Sequence, residues 1–167
     1  LNAPEAAAMP PLAIREAARA DLPGILELYA QPALDDDVVL PLAQAERLFE
    51  RMRGYPDYRL YVARAGQQVV GTFALLIMDN LGHLGSPSGV VEDVAVAPAW
   101  QKRGIGKAML RFAMQRCREA GCYKLSLSAN LSRTQAHRFY ESLGFGKHGF
   151  SFLVRFDGRG AAVDPDV

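Results

Sequence analysis

Little in this chain of 167 residues points to metal chemistry or to a disulfide scaffold, because it holds only two cysteines and three histidines. Cys117 and Cys122 cannot build a zinc site alone, and His83, His137 and His148 show no metal-ligand spacing. No metal is expected. If Cys117 lies on a helix and Cys122 just past its end, the two are badly placed to pair, and free thiols in a reducing cytosol are the expectation. Excess charge is missing too. Nineteen Lys and Arg against eighteen Asp and Glu leave a net charge of +1. The whole-chain field therefore favours neither nucleic acid nor an anionic membrane, and no arginine-aromatic face speaks for nucleic acid. No run approaches the roughly 20 apolar residues of a membrane span. Leu1 to Pro11 is rich in Ala and Pro but lacks the basic flank and apolar run of a signal peptide. A cytoplasmic protein is expected, and any anion site in it must be local.

What is present fits one folded domain. Half of the residues are apolar, enough to bury a core. The expected organisation is a flexible leader over 1–11, a single domain over 12–156 and a flexible tail over 157–167. Leu12 to Ala17 alternates as a first strand. Asp21 is placed to cap a helix carrying Ile25, Leu26, Leu28 and Tyr29. A second helix is expected from about Pro41 to Arg53. Tyr58 to Arg64 and Val69 to Met78 read as two strands of a hairpin about the turn at Ala65 to Gln67. Val90 to Ala97 reads as a fourth strand, and Ile105 to Ala120 as an amphipathic helix closed by Gly121. Lys124 to Ala129 alternates as a fifth strand, Thr134 to Leu143 reads as a fourth helix, and Phe150 to Phe156 as a final strand. The central hairpin argues against a doubly wound dinucleotide fold. A mixed α/β (α+β) sheet with helices on both faces is the better expectation.

The fourth strand runs into Gln101-Lys102-Arg103-Gly104-Ile105-Gly106, and a helix follows at once. A strand feeding a helix start through glycines is an anion site. Unpaired backbone N–H groups point out of the first turn and the helix dipole adds to their pull. Gly104 and Gly106 let a diphosphate approach the backbone. Lys102, Arg103 and Lys107 surround it with positive charge. The Walker pattern needs a Gly followed by Lys and Ser or Thr after a longer gap, which is absent here. The dinucleotide pattern needs Gly where Met109 stands.

The turn does match, at each defined position, the Q/R-x-x-G-x-G/A turn of the GNAT superfamily of acyl-CoA N-acyltransferases. From Val90 to Phe156 the chain resembles that family. Val91-Glu92-Asp93-Val94-Ala95-Val96-Ala97-Pro98 is similar to its fourth strand, and Lys124 to Asn130 to its fifth. Ala136-His137-Arg138-Phe139-Tyr140-Glu141-Ser142-Leu143-Gly144-Phe145 is similar to its A-x-x-F-Y-x-x-x-G-F signature. The resemblance implies a GNAT-like mixed sheet of about six or seven strands, helices on both faces, and strands 4 and 5 splayed to hold acetyl-CoA. Acetyl-CoA is then the co-substrate, and the reaction is N-acetyl transfer to a primary amine of a small molecule by direct attack in a ternary complex.

The resemblance also implies roles. Gln101, Lys102, Arg103, Gly104, Ile105, Gly106 and Lys107 would hold the diphosphate. The backbone of Val94, Ala95 and Val96 would pair with pantetheine, and the Val94 N–H would stabilise the tetrahedral oxyanion. Asn130 would bind the pantetheine arm, or act only as a turn residue. Phe139 would pack on the cofactor or in the core. Tyr140 would protonate the departing thiolate. A protonated amine is not a nucleophile, so a base is needed. By strict alternation Glu92 shares a face with Val94 and Val96 while Asp93 points away. Glu92, acting through water, is the expected base, with Asp93 as the alternative.

The acceptor is less legible. Ser128 to Tyr140 with Phe150-Ser151-Phe152 is similar to aminoalkylphosphonate N-acetyltransferases. Glu92-Asp93-Val94 with Gly121-Cys122-Tyr123-Lys124 is similar to glucosamine-phosphate N-acetyltransferases. Asp35, Asp36 and Asp37 form either a cation-attracting loop or a solvated acidic one. The loop from Asn80 to Gly89 lines an acceptor pocket or a contact between subunits, since a homodimer is common in the family. Two other readings stay open: a non-catalytic acetyl-CoA sensor, and an acetyltransferase for a protein or peptide amine.

Overall fold

The computed structural model describes residues 10–32, 34 and 37–154. Leu12–Glu16 forms β1, Leu22–Tyr29 α1, Leu42–Arg53 α2, Tyr58–Ala65 β2, Gln68–Met78 β3 and Ser88–Val96 β4. Ile105–Glu119 forms α3, Lys124–Ser126 β5 and Thr134–Ser142 α4. The expected leader and tail fall outside the described residues, apart from Pro10 and Pro11. The described chain divides into two compact units, one running through Leu127 and one starting at Ser128.

In the first unit the strands form one mixed sheet in sequence order. β1 to β4 are antiparallel neighbours, and β5 joins β4 in parallel. The hairpin arises as expected, with Gly66 at φ 58 in its turn. Helices cover both faces, because the strands are apolar on both sides. On one face Leu60, Val62 and Ala74 pack with Ile25 of α1 and Phe49 of α2. On the other, Tyr61 and Phe73 meet Phe112 of α3, with ring centroids 5.1 to 6.4 Å apart. Aromatic packing of this kind anchors α3, and with it the turn that precedes α3.

Asp21 sits at the start of α1, but its side chain caps nothing there. It is buried, and its carboxylate accepts hydrogen bonds from Arg15 at 2.7 and 2.9 Å, Arg64 at 2.6 Å and the Ala18 N–H at 2.8 Å. Burial alone would raise its proton affinity. The hydrogen bonds from Arg15, Ala18 and Arg64 outweigh that and hold it below the usual carboxylate range.

Three expectations need correction. The sheet has five strands among the described residues, against an expected six or seven. The expected final strand is not formed over Phe150 to Val154; the remainder of it lies outside the described residues. In the second unit α4 is the one regular element described, so this apolar run finds no ladder there to satisfy its backbone. β5 ends at Ser126 instead of Ala129, because its register with β4 covers only Ser88 to Val90.

Candidate active site

Among the described residues, β4 has a strand neighbour on each side only at its start. From Val91 to Val96 β3 lies along one edge, and β5 does not pair with the other. The two strands therefore part after Val90, which is the geometry that an added, strand-like ligand requires.

The same stretch carries a bulge. Glu92 pairs with Ala74 and Ala95 with Thr72, so Asp93 and Val94 together oppose the single residue Phe73. Asp93 adopts φ 52, a left-handed conformation that costs a non-glycine residue about 1–2 kcal/mol. Opposed residues in an antiparallel ladder project to one side. Glu92 thus shares the face of Ala74, Leu60 and Ala95, on the side of α1 and α2. Val96, paired with Gly71, lies on the other face with Phe73 and α3. Strict alternation had put Glu92 on the same face as Val96. The inserted residue breaks that period, and it re-aims the backbone at Val94.

Glu92 reaches the surface, yet partial burial and then the charge of Asp93 raise its carboxyl above the usual range. Tyr58, at the start of β2, belongs to the same group. It is half-buried against the α1/α2 core, and burial followed by the charges of Asp93 and Glu92 raises its phenol. Sequence reasoning missed Tyr58. Two β-sheet rows separate it from Glu92 in space but 34 positions do so along the chain, and only the register brings them to one face.

The turn after β4 passes through two left-handed residues into the start of α3. Gln101 donates from Nε2 to the Val96 carbonyl at 3.2 Å, tying the turn to the strand. Lys102 has φ 60 and Gly104 φ 83. A Cβ on Gly104 would meet nothing within 4 Å, so that side of the turn is open. The first helical bond of α3 runs from the Ala108 N–H to the Gly104 carbonyl at 2.9 Å. The N–H groups of Ile105, Gly106 and Lys107 precede it and point out of the helix start. Ile105 is buried and anchors the helix; Lys102, Arg103 and Lys107 are exposed, with Arg103 stacked 5.3 Å from the Trp100 ring.

The remaining expected site residues, Asn130, Phe139 and Tyr140, belong to the second unit. Asn130 is a turn residue: its Oδ1 accepts the Ser132 N–H at 2.9 Å and the Ser132 hydroxyl at 2.8 Å. His137 bonds the Asn130 carbonyl at 2.9 Å. Phe139 and Tyr140 are half-buried with rings 5.4 Å apart, and Phe145 packs edge-on to Tyr140 at 6.0 Å. Burial raises the Tyr140 phenol, partly offset by Arg133, so it is fully protonated at neutral pH.

A family model described as the acetyltransferase (GNAT) family matches residues 22–145. The chain belongs to the GNAT acetyltransferase family. This GNAT chain is 36% identical over 81 residues to a glucosamine 6-phosphate N-acetyltransferase of Trypanosoma brucei brucei, covering 48% of the chain and 53% of that protein. It is 31% identical over 97 residues to an aminoalkylphosphonate N-acetyltransferase of Salmonella typhimurium, covering 58% and 62%. Those matches thus span little more than half of either relative. Among solved structures, a putative acetyltransferase from Agrobacterium tumefaciens superposes with a TM-score of 0.80 at 34% identity, over 86% of this chain and 99% of that one.

A hollow of about 740 Å³ runs along α2 between Arg19 and Arg51 and holds none of the expected site residues. Of the acidic loop, Asp35 and Asp36 lie outside the described residues; Asp37, at φ 64, donates its N–H to the Ala30 carbonyl at 2.8 Å. In the loop before β4, His83 stacks on Tyr123 at 4.0 Å. No helix among the described residues is long and apolar enough to cross a membrane.

Proposed function

We propose that this GNAT chain is an acetyl-CoA-dependent N-acetyltransferase that acetylates the primary amine of a small molecule in a ternary complex. One observation carries the reading: past Val90, β4 leaves its ladder with β5, bulges at Asp93 and leads directly into an open helix start ringed by Lys102, Arg103 and Lys107. That continuity fits a ligand with an amide-rich arm and a diphosphate, as coenzyme A has. The diphosphate lies on the N–H groups of Ile105, Gly106 and Lys107, with Gln101 holding the turn and Gly104 giving access. The arm pairs with the backbone of Val94, Ala95 and Val96.

The acceptor approaches Glu92 from the α1/α2 face. Glu92 takes a proton from the ammonium group, directly or through water, and the free amine attacks the thioester carbon. The Val94 N–H donates to the oxyanion of the tetrahedral intermediate. Collapse of the intermediate expels the thiolate, which Tyr140 protonates. Tyr58, beside Glu92 and Asp93, is an added candidate for holding the acceptor. Asn130 and Phe139 contact the pantetheine arm in this reading. A homodimer in the cytoplasm completes it, supported by the family and by the free thiols.

The relatives from Trypanosoma brucei brucei and Salmonella typhimurium are named for small amines that carry an anionic group, glucosamine 6-phosphate and aminoalkylphosphonates, and this acceptor class is proposed here too. The test is a panel of aminoalkylphosphonates, amino-sugar phosphates, polyamines and amino acids with detection of free CoA thiol. Turnover with an anionic small amine, lowered severalfold or more by Tyr140→Phe at unchanged acetyl-CoA affinity, is the expected result. Acetyl-CoA binding with no thiol release across the panel would point to a sensor, and turnover with peptide amines alone would replace the acceptor.

A further inference from the structure

α3 ends on a left-handed residue, Gly121, at φ 74. The Gly121 N–H donates to the Arg118 carbonyl at 3.0 Å, and the Cys122 N–H to the Cys117 carbonyl at 2.9 Å. In a helix closed by this pair of reversed bonds, the second residue past the cap folds back over the third residue from the helix end. Those two residues are Cys122 and Cys117. Both thiols are free, as expected, but the helix closure brings the two residues together instead of setting them apart. Both residues line one hollow of about 160 Å³ with Met114, Arg118, Lys124 and Leu125. Among the described residues, no third His, Cys, Asp or Glu joins them in a metal-sized cluster.

We propose that Cys117 and Cys122 are an oxidisable dithiol, a modification site that reacts with a hydroperoxide and closes to an intramolecular disulfide. The two sulfurs have unequal access. Cys122 is half-buried and Cys117 is buried. Burial, and then the neighbouring Cys122, push the Cys117 thiol up to about 12. Cys117 carries almost no thiolate at neutral pH and cannot lead the attack. Cys122 leads: its thiolate takes the terminal oxygen of the hydroperoxide, the O–O bond breaks, and water or an alcohol leaves. The Cys117 sulfur then displaces the hydroxyl from the Cys122 sulfenic acid. The S–S bond forms, the S–O bond breaks, and the Cys117 proton leaves with the hydroxyl as water. The two thiols lose two electrons in all, which the peroxide takes up.

The site is not remote from the sheet. A Cβ on Gly89 would lie 2.4 Å from the Cys117 Sγ and 3.0 Å from Leu125 Cδ1. Gly89 and Leu125 are the middle pair of the ladder between β4 and β5. The disulfide forms directly beneath the point from which those strands part.

The test treats the full chain with a few equivalents of hydrogen peroxide, followed by alkylation and mass spectrometry. Loss of two hydrogens is expected, with peptides 117–118 and 119–124 recovered joined after non-reducing trypsin digestion and released by a thiol reductant. Cys122→Ser should slow oxidation roughly tenfold or more, because the remaining thiol is the buried one. Cys117→Ser should stop at oxygen added to Cys122. Should Cys117→Ser fail to fold, the half-buried Cys122→Ser variant still decides. Two alkylated thiols after peroxide, a disulfide between two chains, or oxygen added to Cys122 while Cys117 stays free in the wild type would each overturn the proposal.

Discussion

At Glu92 partial burial and the charge of Asp93 act in the same direction, and both favour the protonated carboxyl. A base must be ionised to work, so activity should rise with pH through the raised Glu92 value. Asp93→Asn removes one cause while keeping a residue type that tolerates the left-handed bulge. The acidic limb of the kcat/KM profile should then move to lower pH; a limb that stays put or moves up would separate Asp93 from the base. The stability sign follows from the same shift. A carboxyl raised on folding opposes the native state once pH passes its unfolded value, here 4.5. Glu92→Gln should accordingly leave melting at neutral pH unchanged or slightly higher, while turnover falls by about 10²–10⁴-fold. Asp21 has the opposite sign. Its folded value lies below the unfolded 3.8, so its stabilisation is fully present above that value and fades as pH falls through the folded one. Asp21→Asn should cost about 3–5 kcal/mol in denaturant melts at pH 7, since it strands Arg15 and Arg64 around a buried site. A loss well under 1 kcal/mol would mean that the two arginines find water instead.

At the scale of elements, the turn from Gln101 to Lys107 has two left-handed residues, Lys102 and Gly104, and the one at the helix start carries no side chain. Gly104→Ala should cost about 1–2 kcal/mol through backbone strain alone, as no atom lies near the added methyl. Acetyl-CoA affinity should fall by more than that strain explains, because the methyl occupies the open side of the turn. Equal affinity in a binding titration would remove the turn from the diphosphate site. This element was legible in the sequence because its chemistry is local: glycines at fixed offsets and an amphipathic run behind them. The hairpin and α3 were legible for the same reason. The bulge was not. Val91 to Val96 reads as an even strand, and only pairing with β3 shows that Asp93 and Val94 oppose one residue. The face of Glu92 and the partnership with Tyr58 depend on that pairing. Phe150 to Val154, the described part of the expected final strand, failed in the other direction, since a strand-like run becomes a strand only where a ladder receives it. The approach of the two cysteines was legible in principle. Gly121 past the helix end implies the reversed closure that folds Cys122 over Cys117.

For the whole molecule, a net charge of +1 sets no long-range field for a polyanionic co-substrate. In the proposed reading, binding arises instead where Lys102, Arg103 and Lys107 surround the start of α3. Those side chains are exposed, and charges more than about 8 Å apart are largely screened at physiological salt. Acetyl-CoA affinity should therefore weaken as salt rises from low to physiological strength and then level off, because the backbone donors and the β4 edge are screened far less. Binding to the native state alone also stabilises it. At a hundredfold excess over Kd the gain is about 2.7 kcal/mol. In a chain of this length that gain corresponds to a rise in melting temperature of about 5–11 °C. Arg103→Ala with Lys107→Ala should flatten the salt dependence and shrink the shift together, since both draw on the same local charge. A melting temperature that ignores acetyl-CoA at every salt concentration would reject the turn as the cofactor site. A shift that survives in the double variant with its salt dependence intact would move the binding charge elsewhere on the molecule.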